Sequence, residues 1–185
     1  MRVLFVHGLA SSGAYKMASM LGQLLKPCEV IAPDLPLDPE EALDILKTIC
    51  ARESPDIVVG LSWGAFLSLR LGLCPTVAVN PDLHISRFLR SHIGTMDYLS
   101  PRSGGETQFE ITEEICLKYE LLETSAAVLD VPFLGCFAEN DEVVRCGAEF
   151  DSLYPGHSFS YPGGHLPTYL QMKTYLVPAI RSFLL

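Results

Sequence analysis

Short apolar runs rich in β-branched residues recur along the chain at Val3–Val6, Val30–Ala32, Ile57–Val59, Thr76–Val79, Phe133–Phe137 and Ser158–Tyr161. Most are continuous rather than alternating, the pattern of strands buried on both faces of a parallel sheet. Segments with helical spacing lie between them: Tyr15–Leu25, Pro39–Cys50, Ala65–Leu71, Cys146–Leu153 and Thr168–Phe183. Pro39 suits a first helical turn, where its missing N–H costs nothing. This alternation with short links predicts an α/β architecture, a doubly wound, mostly parallel sheet of about six strands.

One link breaks the rhythm. Roughly fifty residues separate Val79 from Phe133, where a few are usual. Residues 82–130 are therefore expected to form a cap-like insertion before the penultimate strand. Within it Ile85–Ile93 and Glu113–Glu123 have helical spacing, and Ser100–Gly105 reads as a turn, so a helical insertion is predicted.

Composition narrows the picture. A chain of 185 residues, 49% hydrophobic, can bury one good core and is expected to form a single domain over 1–185. No apolar run approaches the ~18 residues of a membrane span, and the run at Val3–Val6 is too short for a signal-peptide core. A cytoplasmic protein with no membrane partner is expected. The formal charge of −9 opposes binding to nucleic acid, which needs a basic face to displace counterions. The six cysteines are scattered without C-x-x-C or zinc-finger spacing, so they read as reduced, mostly buried small apolar residues.

The chemistry begins at Gly60-Leu61-Ser62-Trp63-Gly64, a G-x-S-x-G between the strand Ile57–Val59 and the helix-like Ala65–Leu71. The bare pattern recurs by chance in about one in twenty chains of this size, so its context carries the argument. A strand-to-helix turn gives the pattern a mechanical reason, because it lifts the Ser62 hydroxyl above the sheet while the glycines admit close backbone approach. Ser62 is then a nucleophile; the plain alternative is a serine in a tight turn.

A serine hydroxyl needs a neutral imidazole to accept its proton and an acid to orient that imidazole. In this arrangement the chain order is serine, acid, histidine. His165, in Gly163-Gly164-His165 after the last strand, fits the base. His157 precedes that strand, His84 and His92 fall in the insertion, and His7 precedes the serine, so each reads as structural. Asp141, in Asn140-Asp141-Glu142-Val143-Val144 after the penultimate strand, is the preferred acid. Asp82, past the strand ending at Val79, competes with it, whereas Asp34 reads as a turn residue.

Charge developing on a carbonyl oxygen calls for two backbone N–H groups, typically worth ~3 kcal/mol each. The expected oxyanion donors are Trp63, at a helix start, and Leu9, in the loop after the first strand. Phe88, Leu89, Ile93, Met96, Tyr98 and Phe109 of the insertion are candidates for an apolar acyl pocket, with Phe88, Met96, Tyr98 and Phe109 preferred.

Several of these pieces together resemble a known group. Val6-His7-Gly8-Leu9-Ala10-Ser11-Ser12, the elbow at 60–64, Val79-Asn80-Pro81, Tyr98-Leu99-Ser100-Pro101-Arg102-Ser103-Gly104-Gly105, Asn140–Val144 and Gly163-Gly164-His165 resemble the small bacterial α/β-hydrolase fold esterases of the YqiA and YcfP type. The resemblance spans nearly the whole chain. It implies a minimal α/β-hydrolase fold, esterase or thioesterase activity without a cofactor, and Asp141 as the acid. Trp63 departs from the smaller residues usual there and is expected to narrow the pocket mouth.

The expected function is hydrolysis of carboxylic esters, with short acyl groups, through an acyl-Ser62 intermediate. The partner is a small-molecule acyl ester or thioester. A thioesterase or acyltransferase would use the same three residues. A silent scaffold that binds a ligand or protein would need a broken triad. No metal site is expected, since H-E-x-x-H and clustered ligand spacings are missing.

Overall fold

The computed structural model describes residues 1–125 and 130–184, so residues 126–129, at the end of the expected insertion, lie outside it. Six strands form one sheet: β1 (Arg2–Val6), β2 (Glu29–Ile31), β3 (Ile57–Leu61), β4 (Thr76–Val79), β7 (Phe133–Ala138) and β8 (Ser158–Tyr161). The insertion holds two more, β5 (Gly94–Asp97) and β6 (Gln108–Ile111). The large sheet runs β2-β1-β3-β4-β7-β8, and every pair in it is parallel. All six expected strands are present, and β1, β3 and β4 are buried along nearly their whole length, as their continuous apolar runs require.

Helices cover both faces. On one, Val3, Phe5, Ile57, Val59, Val77 and Val79 pack against Met17 and Leu21 of α1 (Lys16–Leu24) and against Met172, Leu176 and Ile180 of the C-terminal helix. On the other, Leu4, Val6 and Val58 pack against α2 (Pro39–Glu53) and α3 (Trp63–Leu71). The α2 helix starts where Asp38 accepts hydrogen bonds from the N–H groups of Glu40 and Glu41, with Pro39 at its first turn. At the β7–β8 side of the sheet α6 (Gly147–Leu153) buries Phe150 beside Phe133 and Phe137.

Two departures from expectation have physical causes. The insertion is not wholly helical: α4 (Ile85–Ser91) and α5 (Glu113–Thr124) flank an antiparallel hairpin of β5 and β6. Its alternation was in the sequence, since Met96, Phe109 and Ile111 turn inward while Thr95, Asp97, Gln108 and Glu110 face out. Four residues per strand, split by a ten-residue connection, left that period too short to stand out. At the C-terminus, α7 (Tyr169–Gln171) passes through a wide π turn at Met172–Leu176 into α8 (Val177–Arg181). Pro178 has no N–H to give to the preceding turn, and the wider register relieves that conflict.

The insertion shares the main core. Ile85, Leu89, Ile111, Cys116 and Tyr119 are buried together with Trp63, Phe66 and Leu67 of α3. All six cysteines are free and five are buried.

Candidate active site

Ser62 sits between β3 and α3 with φ 54° and ψ −117°, in the positive-φ half of backbone space that costs a side-chain-bearing residue about 1–3 kcal/mol. The register is fixed from both sides: Ser62 N–H donates to Val79 O at 2.8 Å, and Phe66 N–H donates to Ser62 O at 3.0 Å. The flanking glycines are forced by space. A Cβ at Gly60 would lie 2.5 Å from the Ala65 Cα, and one at Gly64 would lie 2.3 Å from the carbonyl oxygens of Val6 and His7. The elbow therefore packs β3, α3 and the end of β1 into contact at main-chain distance, and only glycine fits at its two sides.

His165 follows β8, and its Nδ1 lies 2.8 Å from Asp141 Oδ2. Both side chains are almost wholly buried. Asp141 is itself fixed, because its Oδ1 accepts from the N–H groups of Val143 and Val144, each at 2.8 Å. The competing Asp82 spends its Oδ1 on the His84 N–H at 2.9 Å, and burial pushes its carboxyl pKa up. Of the two carboxylates, Asp141 is the one hydrogen-bonded to the imidazole.

Asn80 orders the histidine loop. With φ 47° at the end of β4, it donates from Nδ2 to His165 O at 2.8 Å and to Tyr161 Oη at 3.2 Å. Its Oδ1 accepts from Ala138 N–H at 2.7 Å. One buried amide thus ties β4, β7 and β8 together beneath the imidazole. Sequence reasoning gave Asn80 no role beyond a matching motif, and an asparagine at a strand end, tolerant of positive φ, was the available signal.

The loop after β1 is held from below and above. Below, His7 donates from Nδ1 to Gly8 O at 2.8 Å and accepts at Nε2 from Leu35 N–H at 3.1 Å, which fixes a neutral tautomer. Burial drives its pKa down to about 4. Above, Leu99 N–H donates to Ala10 O at 2.7 Å, and the guanidinium of Arg102 reaches Ser11 O and Leu35 O at 3.2 and 3.1 Å. Arg102 also lies over the Tyr98 ring at 4.3 Å. The Tyr98–Gly105 segment clasps this loop, a job its spacing did not reveal. The Leu9 N–H has no acceptor among the described residues, and the Trp63 N–H begins α3, where helix N–H groups lack internal partners.

Ser62, His165, Gly8, Leu9 and Asp82 line one cavity of about 420 Å³. Its wall is apolar: Tyr15, Ile85, Phe88, Met96, Leu99, Val143 and Leu166. Of the expected pocket residues, Phe88 and Met96 are in this wall. Tyr98 and Phe109 instead meet as tilted rings 4.8 Å apart and line, with Leu9, a much smaller space. Leu89 is fully buried in the core, and Ile93 faces out. Trp63 does not narrow the mouth. Its ring turns inward beside His7, and its Nε1 donates to Tyr119 Oη at 2.6 Å, while Tyr119 donates to Leu37 O at 2.8 Å. An indole needs a partner when buried, and a tyrosine fifty-six positions away supplied it.

Residues 3–162 match the Alpha/beta hydrolase family, so the chain belongs to that family. The matched stretch contains Ser62 and Asp141 and stops just short of His165. Solved structures share the fold at low identity. A monoacylglycerol lipase of Paleococcus ferrophilus aligns with TM-score 0.70 and 16% identity, over 99% of this chain and 93% of that one. A thermophilic esterase from Thermogutta terrifontis gives 0.65 and 15% over 100% and 89%. The esterase domain of a Rhodothermus marinus protein gives 0.68 and 16% over 98% and 85%. Among the described residues no helix is long and apolar enough to cross a membrane.

Proposed function

We propose that this chain is a serine esterase that cleaves small carboxylic esters, with Ser62 as nucleophile, His165 as general base and Asp141 as the acid that orients it. The observation that carries the proposal is the meeting of a strained elbow serine and a carboxylate-held imidazole on one apolar cavity. The esterase and lipase names of the structural neighbours point the same way.

The Ser62 oxygen attacks the ester carbonyl carbon while His165 Nε2 takes the hydroxyl proton, and the C=O electron pair moves onto oxygen. The N–H groups of Leu9 and Trp63 receive that charge, the second aided by the positive end of α3. The tetrahedral species collapses, the C–O bond to the alcohol breaks, and the departing oxygen takes the proton back from His165. Water then repeats the sequence on acyl-Ser62 and releases the acid. Asp141 keeps the proton of the neutral ring on Nδ1, leaving Nε2 free to accept. Ser62 and His165 share no hydrogen bond in the structure, and such contacts commonly tighten only with substrate in place.

Short acyl groups are the proposed substrates. With Trp63 outside the cavity, the limit is its volume, about 420 Å³ to be shared by acyl chain and alcohol, near the small end of ligand pockets. Each methylene adds up to ~0.8 kcal/mol only while apolar wall remains to receive it, so activity should peak at roughly C2 to C6. The same residues fit the YqiA and YcfP type, cytoplasmic and without a cofactor. Stopped-flow turnover of p-nitrophenyl esters tests the proposal. The expected result is a burst of nitrophenol approaching one per enzyme, absent in Ser62→Ala; turnover unchanged in that variant would overturn it.

A further inference from the structure

A second group of chemically competent side chains lies behind the Asp141 loop. Cys146 stands at the residue before α6 and Glu149 one turn further on, so both project from the same side of that helix. His84 faces them from the turn that starts α4. One ligand atom from each residue lies within 4.8 Å of the other two, and His84 Nε2 is 2.7 Å from Glu149 Oε2. Cys146 is buried, whereas the imidazole and the carboxylate reach solvent, so an ion can enter without the core opening.

We propose that His84, Cys146 and Glu149 form a binding site for a divalent cation of the zinc type, with water as the fourth ligand. The donor set selects the class: thiolate plus imidazole favours zinc or cobalt, whereas magnesium and calcium take oxygen ligands. Thiolate and carboxylate together cancel the double positive charge. Asp82 adds a nearby negative charge and Arg87 opposes it with a positive one. Metal–ligand bonds of about 2.0–2.3 Å put ligand atoms roughly 3.3–3.8 Å apart in a tetrahedron, so the three atoms need only small side-chain rotations. On binding, the Cys146 S–H bond breaks, its proton goes to solvent, and an Sγ–metal bond forms. In the free site His84 Nε2–H donates to Glu149 Oε2; on binding that hydrogen bond breaks, the ring passes its proton through solvent from Nε2 to Nδ1, the freed Nε2 lone pair goes to the ion, and no oxidation state changes. The bound ion would fasten the first residues of the insertion to the loop that follows Asp141. The inference rests on these side chains and not on the esterase reading.

Titration of the full chain with Co²⁺, followed by absorption, tests it. The expected result is one equivalent bound, with a thiolate-to-cobalt band in the near ultraviolet that vanishes in Cys146→Ser. His84→Ala and Glu149→Gln should each weaken binding by at least about tenfold, the scale seen on disturbing a metal site. Both residues are partly exposed, so these variants keep the core and decide the matter if Cys146→Ser fails to fold. Zn²⁺ should raise the melting temperature of the native chain more than that of either variant at the same concentration. Absence of the band overturns the proposal, as does wild-type affinity in either surface variant. A band persisting in Cys146→Ser does so too, and would move the ion to other thiols such as Cys50 and Cys74, whose sulfurs lie 3.9 Å apart.

Discussion

The side-chain amide of Asn80 donates to the main-chain oxygen of His165 at 2.8 Å, so the loop bearing the imidazole hangs from the end of β4. Asn80→Ala removes that donor and also orphans the buried N–H of Ala138. Each stranded group costs about 1–3 kcal/mol, and alanine at φ 47° adds strain. Urea unfolding should show a stability lowered by a total of roughly 3 kcal/mol, read as a lower midpoint at unchanged slope, and kcat should fall with it.

Asp141 and Asp82 make opposite predictions. Asp141→Asn should lower kcat by about 10⁴ with the fold intact, because the imidazole loses the partner that holds its tautomer. Asp82→Asn should change kcat little, since Asp82 caps the turn at His84 instead. Circular dichroism with steady-state kinetics on both variants checks the ranking, and the reverse order would move the acid to the end of β4.

Trp63→Phe separates packing from substrate selection. The variant deletes the indole N–H and leaves Tyr119 with its bond to Leu37 O, a loss of about 1 kcal/mol. The preference among acyl chain lengths should not change, because the ring lies outside the cavity wall. A shift of the optimum to longer chains would return Trp63 to the pocket mouth.

His7 sets a pH dependence of stability. Its pKa in the fold is about 4, below the ordinary 6.5, because burial disfavours the charged ring. The unfolded chain therefore binds this proton first as pH falls, and the fold loses roughly 3 kcal/mol between about pH 6.5 and pH 4. Thermal unfolding should show stability rising with pH across that window, with a shallower rise in His7→Asn.

Much of this was legible in the chain. Continuous apolar runs located the six sheet strands, and the elbow at Ser62 was readable because its glycines and its strand-to-helix setting are local. The Asp141–His165 pairing followed from chain order, although Asp82 stayed open until the loops were seen in space. Features built from distant positions were not legible. The Trp63–Tyr119 bond, the Arg102 clasp and the meeting of His84 with Cys146 each depend on how the insertion folds back, which local period does not encode. The hairpin of β5 and β6 fell between these cases, its alternation real but only four residues long in each strand.

Intact-protein mass spectrometry after fluorophosphonate treatment decides whether Ser62 is the nucleophile. Among the described residues only Ser62 combines a strained elbow, an imidazole on the same cavity and free N–H groups, so a single phosphonyl adduct is expected, mapped to Ser62 and abolished in Ser62→Ala. An unlabelled native chain, or an adduct that persists in Ser62→Ala, would contradict it.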